Sequence, residues 1–151
     1  MLMSITKRHN QRGIGLLELM LSLAIISVLL LMATRYYKSA DQGQKVSNAI
    51  SLITGIAGAG AQYLSTHPKE KPTDLNLQVL TNDGYLSKEF STMSNPWGGT
   101  IKVSGSDAGL VTITLEGVPG GPCRILQSSF SDTNGTKCGE KDATGQVVVN
   151  Y

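Results

Sequence analysis

The chain has 151 residues, 40% of them hydrophobic, with 13 Lys and Arg against 11 Asp and Glu. That length holds one folded domain beside a membrane-length segment and argues against a second domain. The positive balance comes from Lys7, Arg8 and Arg12; from Ile14 onward ten basic residues face eleven acidic ones. The body of the chain therefore lacks the basic excess expected of a nucleic-acid-binding protein.

Residues 14–33, "IGLLELMLSLAIISVLLLMA", are apolar apart from Gly15, Glu18, Ser22 and Ser27. As a helix this run spans about 30 Å, the thickness of a bilayer core. On apolar length alone it reads as a single-pass anchor or a secretory signal. A secretory signal has a shorter core and a small-residue cleavage site, whereas this run continues into "TRYYKS". A plain anchor has no use for Glu18, because a carboxylate within an inserting helix costs about 2.5–3.5 kcal/mol. Basic residues flank the run on both sides, so charge alone gives little preference for orientation. Long downstream domains translocate largely regardless of it, which places the short head in the cytoplasm and the C-terminal domain outside.

Gly13, an apolar Ile14, Glu18 as the fifth residue from Ile14, and a long aliphatic helix together resemble the processing site of type IV prepilins and the related pseudopilins. In that family a prepilin peptidase cuts after the glycine and methylates the new amino terminus. The resemblance implies that residues 1–13 are a cytoplasmic leader and that cleavage falls between Gly13 and Ile14, leaving N-methyl-Ile14. Residues 14–33 would be the transmembrane and polymerisation helix, and 34–151 the globular head. Glu18 would be an assembly contact, pairing with the terminal amine of an adjoining subunit. Ile14 stands where the family usually carries Phe or Met, or Leu or Val in type IVb members. The thirteen-residue leader is intermediate between those of the type IVa and IVb groups.

Beyond Ala33 the chain turns polar, yet Val46, Ile50, Ile53, Ala57, Gly60 and Leu64 recur at helical spacing. One helix over about 14–66 is predicted, its second half laid on a sheet and its end set by Pro68. Gly43, Gly55, Gly58 and Gly60 are expected to mark close packing against strands, with local melting during assembly as the alternative. His67, the one histidine past the leader, is expected to be a solvated cap.

Residues 71–99 read as a connection holding one short helix, with Thr73 as its cap, Leu77 and Leu80 as its buried edge and Gly84 as its stop. "NPWGG" at 95–99 signals a turn. Strands are predicted at 100–103, 110–115 and 146–151, with Val111, Ile113 and Leu115 alternating as on a half-buried strand. Helix first and antiparallel sheet after give an α+β fold. In "EGVPGGPCRILQSSF", Pro122 suits a helix's first turn, with Cys123, Leu126 and Phe130 on one face.

A helix carrying a cysteine just after a strand, and an Asn-Pro-aromatic turn before the sheet, resemble type IVb pilins. The implied fold is a pilin fold: a long N-terminal helix on a small antiparallel sheet, with a disulfide-closed C-terminal region. Cys123 and Cys138 are the only cysteines and lack metal or redox spacing, so a structural disulfide is expected. Closing about 15 residues contributes roughly 3 kcal/mol in the chain-entropy model and requires an oxidising compartment. In pilins this bond bounds an exposed, variable region, here "RILQSSFSDTNGTK".

No nucleophile elbow, phosphate-binding loop or zinc spacing occurs, so no catalytic residues, no cofactor and no metal site are expected. "NDG" at 82–84 is a weak calcium signal. The resemblance implies the subunit of a type IV pilus, of the type IVb group, serving adhesion, aggregation, conjugation or DNA uptake. Its partners would be prepilin peptidase, the inner-membrane assembly machinery, other pilins including copies of itself, and a host or recipient cell surface. It would sit in the inner membrane with its head in the periplasm, and then in an extracellular fibre. The alternatives are a type II secretion pseudopilin, which would form no surface fibre, and a monomeric membrane-anchored binding domain, which would not depend on Glu18.

Overall fold

A computed structural model describes residues 15–68, 72–106, 108–140 and 143–151. Helix α1 runs over Leu16–Thr66, as the apolar spacing and Pro68 predict. It contributes to two compact units, one ending at Ala40 and the other running from Asp41 to Tyr151.

In the first unit every described residue is exposed in the single chain, including Leu16, Leu17, Leu21, Ile25 and Leu31. A helix apolar on every side needs a surrounding of lipid or other apolar helices. It is long and apolar enough to cross a membrane. The hydroxyls within it stay close to the backbone: Ser22 donates to the Glu18 carbonyl at 2.8 Å, Ser27 to Leu23 at 2.7 Å and Thr34 to Leu31 at 3.0 Å. This back-bonding satisfies their polarity inside the helix.

In the second unit α1 lays Val46, Ala49, Ile53, Ile56, Ala57 and Tyr63 on the sheet. The sheet has three antiparallel strands in the order β1-β2-β3: β1 Ile101–Gly105, β2 Val111–Pro119 and β3 Thr144–Asn150. Ile101 pairs with Leu115, Val103 with Ile113, and Ile113 in turn with Val149. Val111, Ile113, Leu115 and Val118 point inward to meet α1, with Val147 and Val149 beside them. All three strands run further at one end than their apolar letters suggest. Gly105 at the end of β1, Pro119 at the end of β2 and Thr144 at the start of β3 enter the ladder through backbone pairing, which apolar periodicity does not register.

Of the four glycines, close packing holds for one. A methyl on Gly60 would lie 2.8 Å from a Val111 methyl, whereas a methyl on Gly43, Gly55 or Gly58 would meet nothing within 4 Å. Gly60 faces the sheet; the others face away from it.

The connection contains helix α2, Leu77–Asn82. Its cap is Asn76, not Thr73: Asn76 is extended at φ −147°, and its Oδ1 accepts the Val79 N–H at 2.9 Å. Thr73 belongs to a preceding 3-10 turn, Pro72–Asp74, and a second such turn spans Lys88–Thr92. Leu80 is buried and Leu77 half-buried, and Gly84 follows the helix at φ +80°. His67 stands at the end of α1, with Nδ1 3.2 Å from the Tyr63 carbonyl. Its ring is half-buried and stacked on Tyr63 at 4.4 Å, so it is a packed cap and not a solvated one. The stacking partner lies one turn back, at i−4.

Helix α3, Gly120–Ser129, follows β2 directly, with Pro122 in its first turn. It turns Cys123 and Leu126 into the core, and Phe130 packs at its end, edge-on to Tyr151. The result is the α+β arrangement expected from the sequence.

Candidate assembly helix and disulfide-closed head

Glu18 sits in the first turn of α1. A carboxylate there is favoured by the helix dipole. It is exposed, and it is the one charged side chain between Leu16 and Thr34. Gly13 and Ile14, the expected cleavage and methylation residues, lie outside the described residues.

Cys123 and Cys138 are joined, with Cα atoms 5.6 Å apart. The bond places residues 132–138 along the outer edge of β3. Lys137 and Gln146 exchange backbone hydrogen bonds at 2.8 and 2.9 Å, and the Asn150 N–H donates to the Asp132 carbonyl at 3.0 Å. Between them the Thr136 hydroxyl takes the place of a strand residue. It accepts from the Val148 N–H and donates to the Val148 carbonyl, both at 2.9 Å. An unpaired strand edge is a template for association; here the disulfide-bounded segment occupies it.

Toward the opposite edge of the sheet, just before β1, Asn95 is a buried polar hub. Its Nδ2 donates to the Glu116 carbonyl at 2.6 Å, and its Oδ1 accepts from the Trp97 and Gly99 N–H groups at 3.0 and 3.1 Å. Gly99 lies against the Glu116 backbone where no side chain fits. Opposite it, β2 shifts register between Glu116 and Val118, and Gly117 adopts φ +74°. The "NPWGG" turn thus locks onto a β-bulge. The Glu116 side chain accepts from Lys102 and from Thr100, each at 2.6 Å. The hydrogen bond from Lys102, and then that from Thr100, hold its carboxyl below the ordinary carboxylate range.

The sequence marked the turn but not the burial of Asn95. It gave no sign of Thr136, because a threonine in a Gly- and Asn-rich segment resembles any loop threonine. Asn82, Asp83 and Gly84 close α2, with the Asp83 N–H donating to Val79 at 3.0 Å. Among the described residues no group of three or more His, Cys, Asp or Glu side chains converges as metal ligands do.

Residues 8–34 match the prokaryotic N-terminal methylation motif. Residues 43–147, more than two-thirds of the chain, match the PilS N-terminal family. The chain belongs to the PilS family of type IV pilin-like proteins. Comparison with curated proteins finds no match. The two matched segments divide the chain as its structure does: the methylation motif covers residues 8–34, with the apolar half of α1, and the PilS match covers the second half of α1 with the sheet and α3. The pilin family is structural, and its members act by assembling.

Proposed function

We propose that this pilin is made as a prepilin, cut between Gly13 and Ile14 by a prepilin peptidase on the cytoplasmic face, and methylated on the Ile14 nitrogen. Residues 14–33 hold the subunit in the inner membrane with the head, 34–151, in the periplasm. Extraction then adds it to an extracellular fibre of the type IVb group, used for adhesion, aggregation, conjugation or DNA uptake.

The observation that carries this reading is one exposed carboxylate, Glu18, in the first turn of a helix that is apolar on every side. Once such helices bundle, an unpaired carboxylate and an unpaired terminal ammonium are each costly to bury. Pairing Glu18 with the Ile14 amine of a neighbour relieves both and selects one register, and removing one partner of such a buried pair costs about 3–5 kcal/mol. Amine and carboxylate are brought together only after Gly13 is removed, so processing licenses assembly.

The test is Glu18→Ala with Glu18→Gln beside it. Both variants are expected to be processed and retained in the membrane, while sheared surface material contains no fibre by electron microscopy. Normal fibres from either variant would contradict the proposed contact.

A further inference from the structure

Arg35, Tyr36, Tyr37 and Lys38 follow the apolar run without a break in α1. At about 100° per residue these four consecutive side chains occupy some 300° of the helix circumference, so they form a collar and not a face. Tyr36 and Tyr37 are 80% and 75% exposed. The segment from Leu16 to Ala33 beneath the collar is about 27 Å long as a helix, close to a hydrocarbon core. The collar's charge is unopposed: residues 34–40 contain no acid, and the next one, Asp41, is paired with Lys45 at 3.0 Å. A groove of about 380 Å³ runs along Leu30, Ala33, Thr34, Tyr37 and Lys38. Its walls are almost wholly apolar, Lys38 lining it with its aliphatic stem, so the groove suits an acyl chain.

We infer that this collar is a lipid-binding site: Tyr36 and Tyr37 lie at the headgroup level of the outer face of the bilayer, and Arg35 and Lys38 gather anionic phospholipid phosphates around the stored subunit. The inference rests on the membrane-spanning reading of residues 14–33. Contact on all sides fits a lone helix in lipid, since a helix–helix contact would use one side. Amphipathic aromatic rings favour this depth, and each cation near an anionic surface enriches it by about fivefold.

Two reporters, each adding one tryptophan to the full chain, test it, reconstituted in vesicles of phosphatidylethanolamine and phosphatidylglycerol. The parent chain supplies the background from its one tryptophan, Trp97. Tyr36→Trp should be quenched by lipids brominated near the headgroup, and Ile26→Trp by lipids brominated near the chain ends. At equal mole fraction, brominated phosphatidylglycerol should quench Tyr36→Trp severalfold more than brominated phosphatidylethanolamine does. Arg35→Gln with Lys38→Gln should bring that ratio to one. A ratio of one without those changes overturns the inference. So does weak quenching of Tyr36→Trp by both lipids while Ile26→Trp is quenched, which would put water or a second copy at the collar. Failure of Ile26→Trp to be quenched overturns the membrane reading itself.

Discussion

Asn95 ties the loop before β1 to the β2 bulge at Glu116, and its three side-chain hydrogen bonds are made where water cannot replace them. Leaving buried groups without partners costs about 1–3 kcal/mol each. Asn95→Ala should therefore destabilise the head by about 3 kcal/mol or more, and denaturant unfolding of the full chain in detergent will measure it. The glycines of α1 give opposite signs in the same assay. Gly60→Ala presses a methyl on the buried Val111 side chain and should lose about 1–2 kcal/mol. Gly58→Ala meets open space and should gain up to about 1 kcal/mol from helix propensity. Glu116 sets a pH dependence. Its carboxyl is held below the ordinary range, so its contribution is complete above the unfolded value of about 4.3 and is lost as pH falls through the lower folded value. Stability measured against pH should fall in that acid window for the parent chain and less for Glu116→Gln. The contacts that Asn95, Thr100 and Lys102 make with Glu116 could not be read from sequence, because each joins residues 14 or more apart whose letters are ordinary in their own segments.

The elements whose signal is apolar spacing were legible: α1, the alternating β2, and α3 with its cysteine turned inward. Less legible were elements fixed by a single polar bond. The α2 cap fell to Asn76 because the segment before it is a 3-10 turn, and a threonine in that turn carries no mark distinguishing it from a cap. The segment 132–138 looked like a variable surface loop, and it is also the cover of β3's outer edge through Thr136, Lys137 and Asp132. The disulfide therefore does more than shorten the unfolded chain: it holds this cover in place. Replacing both Cys123 and Cys138 with serine should cost about 3 kcal/mol by loop entropy. It should also raise amide exchange at Gln146, Val148 and Asn150 more than at Val147 and Val149, whose amides face β2. Thr136→Val should raise exchange at Val148 with the disulfide intact. Uniform protection along β3 in either variant would contradict the sealing role.

At the scale of the whole molecule, the chain combines a helix that is stable only among lipids or other helices with a head that has its own core. The methylation motif and the PilS match fall on these two parts, and the proposed function joins them: the head is carried, and the helix assembles. Glu18 was legible because a single carboxylate interrupts a long apolar run. The partner proposed for it, the Ile14 amine, comes from the resemblance alone, since the proposed cleavage would first create that amine. Intact-mass and N-terminal analysis of the protein recovered from its native envelope tests the proposed processing. The expected chain begins at N-methyl-Ile14, lacks residues 1–13 and retains the Cys123–Cys138 bond. A chain that still begins at Met1, or one whose Ile14 amine is free of methyl, would contradict that processing.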